Sequence, residues 1–140
     1  MGAVFITFSG NCKKALTFYQ SCFGGILNLE PFEPELLGGK EIIVSGSLFS
    51  DKITIHGSDL VHNEGRKLGN YISIFFGCEN SNERKQLTEK LIVDKNQFLE
   101  MNHHDQTLIE LTDIFDVRWV LGLQEKNLRQ LKKNLYFVKN

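Results

Sequence analysis

The chain is 140 residues long, and its sixteen Lys and Arg against seventeen Asp and Glu give a formal charge of -1, which supplies no overall attraction to a phosphate backbone and argues against nucleic acid as a partner. A hydrophobic fraction of 41%, with eleven Phe, and a charged fraction of 24% exclude disorder as the main state. A chain of this size buries roughly two thirds of its unfolded surface, so one domain or two merged half-domains can form a real core.

Cys12, Cys22 and Cys78 are an odd number without CxxC spacing, which fits a reducing compartment better than a disulfide framework or thiolate zinc. No basic leader with an apolar stretch opens the sequence, and no apolar run approaches the roughly 20 residues that span a bilayer. A cytoplasmic protein without a membrane partner is the expectation.

Residues 4–8 are short, aromatic and β-branched, and they read as a strand that stops at Ser9-Gly10-Asn11, with Asn11 placed to accept from the first free amides of a helix. Cys12, Ala15, Leu16, Tyr19, Cys22 and Phe23 then trace one apolar stripe at helical spacing, which Gly24-Gly25 closes. Strands are expected at 26–32, 41–49 and from 52 to 56 with an extension, and Ser50-Asp51 forms a tight turn. Residues 57–69, rich in Gly and polar side chains, read as an exposed linker.

The pattern restarts at 71–76 with a second aromatic strand. Asn80, with Glu83 three residues on, resembles a capping box ahead of a helix bearing Leu87, Leu91 and Ile92. Strands at 97–101, 107–111 and 117–121 complete a second βαβββ unit, and 5–10 can be laid over 72–77. The expected division is a single domain over 1–140, with modules at 1–60 and 70–123. At 124–140, Leu128, Leu131 and Leu135 recur among Lys126, Arg129, Lys132 and Lys133, predicting a solvated packing helix.

Three patterns carry a resemblance: Phe8-Ser9-Gly10-Asn11-Cys12 with Ala15 and Phe18-Tyr19; Cys22-Phe23-Gly24-Gly25; and Asp113-Ile114-Phe115-Asp116-Val117-Arg118-Trp119. They resemble FNGNCEEAxxFY, xxFGG and DxFGVRW of the PhnB-like branch of the vicinal-oxygen-chelate superfamily, which includes glyoxalases, dioxygenases and bleomycin-resistance proteins. The resemblance implies an α+β fold in which two βαβββ modules form a curled mixed sheet around a cleft, commonly in a symmetric homodimer. Asp116 replaces the family's Gly, so the turn must hold an Asp in the left-handed region. The Trp-Gly pair often found upstream is missing.

Metal-dependent members of that superfamily take His, Gln or Glu ligands from the first and last strands of each module. Counted onto this chain, those positions fall at Val4, Ile72 and Val120, which are apolar, and near His56, the one donor. No metal or other cofactor is therefore expected. His62, His103 and His104 read as surface histidines. Alternation places His56 with Thr54 on one strand face, and Arg118 on the face of Val120 with Trp119 under a helix. Arg118 would clamp an anionic group if that face lines a cleft, or else form an ordinary ion pair. Glu100 and Glu110 are acid or base candidates only if inward.

Three functions compete at this point. The first is a metal-free protein that sequesters a hydrophobic or aromatic small molecule in a cleft lined by Val4, Ile6, Phe8, His56, Ile72, Arg118 and Val120. The second is a lyase, isomerase or dioxygenase-type enzyme, either with metal ligands in unexpected places or with His56, Glu110 and Arg118 as direct catalytic candidates. The third is a degenerate interaction domain whose cleft is filled by its own Phe side chains.

Overall fold

The computed structural model describes residues 2–32, 42–59, 69, 71–92 and 108–124. The chain divides into two compact units, Met1–Leu68 and Gly69–Asn140.

In the first unit, β1 (Val4–Thr7) leads to α1 (Cys12–Phe23), then β2 (Ile26–Pro31), β3 (Ile43–Phe49) and β4 (Thr54–Ser58). The sheet order is β1-β4-β3-β2, with β1 parallel to β4 and the other pairings antiparallel. Four residues of the stripe expected on α1, Cys12, Ala15, Leu16 and Tyr19, are fully buried, while Cys22 and Phe23 at its end are half-buried. Gly24 and Gly25, both at positive φ, end the helix, where a Cβ would be strained. Ser50 forms the expected turn, its Oγ accepting from the Lys52 and Ile53 amides at 3.0 and 3.2 Å.

Gly46 of β3 and Gly57 of β4 are register partners beneath α1. A Cβ on Gly46 would lie 2.5 Å from Leu16 Cδ1, and one on Gly57 3.1 Å from Cys12 Sγ, so the absent side chains set how closely the helix approaches.

Two expectations for this unit are corrected. Asn11 makes no side-chain capping bond; Asp59 does the work instead, its Oδ1 accepting from the amides of Gly10 (2.7 Å) and Cys12 (3.0 Å) and its Oδ2 from that of Ile43 (2.9 Å). The start of the expected linker is therefore core: Gly57 and Ser58 end β4, and Ser58 and Asp59 are buried. A carboxylate bonded to three amides is tolerated inside where a bare one is not.

The second unit contains β5 (Ile74–Cys78), α2 (Ser81–Leu91), β6 (Ile109–Thr112) and β7 (Arg118–Leu123), in sheet order β5-β7-β6 with β5 parallel to β7. The N-cap half of the expected box forms, Asn80 Oδ1 accepting from the Glu83 amide at 2.8 Å, while Glu83 Oε2 accepts from the amide of Glu79, one residue ahead of the cap, at 2.9 Å. Leu87, Leu91 and Ile92 are buried as expected.

The β6–β7 turn explains the Asp-x-Phe-x-Val-Arg-Trp pattern. Asp113 Oδ1 accepts from the amides of Phe115 and Val117 at 2.8 and 3.1 Å, while Oδ2 accepts from Trp119 Nε1 at 2.9 Å. Asp116 sits at φ 63°, the left-handed backbone expected where a glycine would be easier.

The overlay of 5–10 on 72–77 is also corrected. Strand pairing and burial match residues 4–8 to 74–78, because Gly10 lies in a turn whereas Gly77 lies within β5. The strand expected at 97–101, the tail at 124–140 apart from Gln124, and His62, Glu100, His103 and His104 lie outside the described residues.

Candidate functional site

Each sheet carries its helix on one face, and among the described residues the other face holds large exposed side chains. In the first unit the register rows that run under α1 are Val4 with Ile55 and Leu48, and Ile6 with Gly57 and Gly46. Side chains alternate along a strand, so the opposite face carries Phe5, His56 and Ser47 in one row, with Phe49 and Thr54 beside them.

This reverses part of the expected lining. Ile6 and Phe8 are buried in the core and Val4 shares their face, so none of the three lies on the open surface. The residues found there are Phe5, 65% exposed, and Phe49, 46% exposed. A one-residue difference in strand phase moves every side chain to the other side, and Val4, Phe5, Ile6 and Phe8 are all apolar, so composition does not settle the phase.

His56 is on the open face with Thr54, and Ile55 is buried on the other, as alternation predicts. Its Nδ1 lies 2.8 Å from Ser47 Oγ. The imidazole meets Phe49 edge to face, with ring centres 5.8 Å apart and an interplanar angle of 80°.

In the second unit the corresponding row is Phe75, Val120 and Glu110, and the next holds Arg118 with Thr112. Phe75 occupies the place that Phe5 has in the first unit and is 56% exposed. Its ring lies against the bare backbone of Gly122, where an added Cβ would come within 2.9 Å of Cζ. Val120 stands where the first unit has His56. Trp119 is fully buried and Arg118 shares the open side with Val120, as expected. Arg118 forms an ion pair with Glu110, so its guanidinium and that carboxylate act as one unit. Ile72, expected at an opening strand position, precedes β5 and is exposed.

Cys12 lies under the helix start, away from the open face, beside both glycines. Burial, and then the negative charge of Asp59, push its thiol up to about 12, so it is neither a nucleophile nor a thiolate ligand at ordinary pH.

A divalent ion needs several converging donors. Corrected for strand phase, the open-face residues paired across the first and last strands in the central row are Phe5 with His56 in one unit and Phe75 with Val120 in the other. One imidazole and three hydrocarbon side chains do not fit a metal. Among the described residues, no three His, Cys, Asp or Glu side chains gather closely enough to share one.

No protein-family model matches the chain, and no curated protein does. Solved structures do. Protein PA1353 from Pseudomonas aeruginosa aligns at 22% identity over 88% of this chain and 96% of its own, with a TM-score of 0.67. The PhnB protein from Bacillus cereus aligns at 18% identity over 87% and 98%, with a TM-score of 0.62. The fosfomycin resistance protein FosX from Listeria monocytogenes aligns at 16% identity over 92% and 94%, with a TM-score of 0.58; a second FosX structure is complexed with Mn(II) and sulfate. At these identities the likeness establishes the fold: a glyoxalase-like α+β architecture, shared with proteins that include a PhnB protein, as the sequence patterns implied. No helix among the described residues is long and apolar enough to cross a membrane.

Proposed function

We propose that the protein binds a hydrophobic or aromatic small molecule on its open sheet faces without a metal ion, as a cytoplasmic homodimer that sequesters its ligand. The observation that carries this reading is the pair Phe5 and Phe75: two large apolar rings at equivalent places in their sheets, both more than half exposed where a folded chain ordinarily covers such rings. An aromatic ligand covering about 150 Å² of such surface gains roughly 4 kcal/mol at 25 cal/mol per Å², before association costs are subtracted.

FosX, with the same fold, is known in complex with Mn(II). The donor set of this chain supports a different chemistry, since only His56 holds a metal-type ligand at the comparable positions. The Arg118–Glu110 pair gives the second face a polar margin that orients a ligand more than it holds one.

The test is a thermal-shift screen of aromatic compounds against protein kept in a chelator. Stabilisation by several of them, lost in a Phe5→Ser, Phe75→Ser double variant, is the expected result; a wild-type protein that responds to none of them contradicts the reading.

A further inference from the structure

We propose that the face around His56 is selective for a hydroxyl-bearing aromatic ring, a phenol-type compound, whose hydroxyl bonds to His56 Nε2. This rests on the reading that the open faces bind aromatic ligands, and it names the ligand class for one of them.

The imidazole is held on two sides. Ser47 Oγ fixes Nδ1 at 2.8 Å, and Phe49 meets the ring edge to face. Ser47 sits directly across the strand pair from His56, so the hydrogen bond is set by β3–β4 register and needs no loop to form it. Phe5, the cross-strand partner of His56 on β1, stands on its other flank. The second ring nitrogen, Nε2, has no protein partner among the described residues. A polar atom in fixed position between two exposed phenyl rings is what orients a ligand that is otherwise held by area alone.

The chemistry of the pair narrows the class. A serine hydroxyl both donates and accepts, so Ser47 satisfies Nδ1 in either neutral tautomer. With Nδ1 accepting, Nε2 carries the proton and donates; with Nδ1 protonated, Nε2 accepts. A ligand carbonyl suits only the first case, whereas a hydroxyl suits both. The flanking rings favour a flat aromatic body for that hydroxyl. The second unit has Val120 at the equivalent position, so the preference belongs to the first face.

The experiment compares p-cresol with toluene, which share a body and differ by the hydroxyl, in titrations of the whole chain in chelator, with ¹⁵N NMR of the imidazole nitrogens. The expected result is binding of p-cresol about fivefold tighter than toluene, the ordinary worth of one neutral hydrogen bond, with p-cresol alone shifting the Nε2 resonance. In His56→Leu the ratio falls to about one, and in Ser47→Ala it falls partway. Equal affinities in the wild type, or a ratio that survives His56→Leu, overturns this proposal while leaving the aromatic-binding reading in place. Binding of neither compound removes both.

Discussion

Asp59 holds a position that its neighbours in sequence do not announce. It lies among glycine, serine and histidine, a composition that reads as linker, yet its carboxylate closes the start of α1 and pins the first residue of β3. The partners of Oδ1 are 49 and 47 residues away, a distance at which sequence patterning carries no signal. Asp59→Ala should cost about 3 kcal/mol or more, because three amides lose their acceptor, and Asp59→Asn about 2 kcal/mol, because an NH₂ turns toward one of them; urea unfolding checks both. Asp116 was legible as a left-handed residue from the Asp-x-Phe-x-Val-Arg-Trp pattern, and the bonds that Asp113 makes in that turn close within six residues. At position 116, φ of 63° makes Asp116→Val about 1–2 kcal/mol less stable than Asp116→Gly in the same measurement. Cys12, with its thiol pushed up to about 12, should resist a thiol reagent at pH 8 in the folded protein while the half-buried Cys22 reacts, as mass spectrometry of labelled peptides would show.

At the scale of elements, the helices were easier to read than the strands. A period of 3.6 residues distinguishes one side of a cylinder, and Cys12, Ala15, Leu16 and Tyr19 declare the buried side of α1 unambiguously. A strand has only two phases, and where both are apolar, as in Val4, Phe5, Ile6 and Phe8, the pattern leaves the buried one undetermined. The missing information was tertiary: the glycine pair Gly46 and Gly57 marks the face against which α1 lies. Gly46→Ala should therefore destabilise the first unit by about 1–3 kcal/mol, since its methyl would overlap Leu16 in a packed site. Phe5→Ser should cost under about 1 kcal/mol, because the ring it removes is mostly in water already. That contrast in denaturant midpoints would separate the two faces of one sheet.

Taken whole, the chain repeats one construction with different chemistry on the open side. Phe5 and Phe75 are equivalent, but His56 has Val120 as its counterpart, and Ser47 has Glu110. The repeat itself was visible in the sequence, because each half opens on an aromatic strand and a helix. The polar row of the site was not, because Ser47 becomes meaningful only when β3 pairs with β4 and brings it to His56. Moving from Val4 to Phe5 exchanges one hydrocarbon for another, so in either phase His56 is the single metal-type side chain among the paired first- and last-strand positions.

Aromatic binding that needs no cation is measured directly by calorimetric titration of toluene into the whole chain, once in chelator and once with Mn(II) in place of the chelator. The same dissociation constant under both conditions is the predicted result. Binding that occurs only when Mn(II) is present would contradict it.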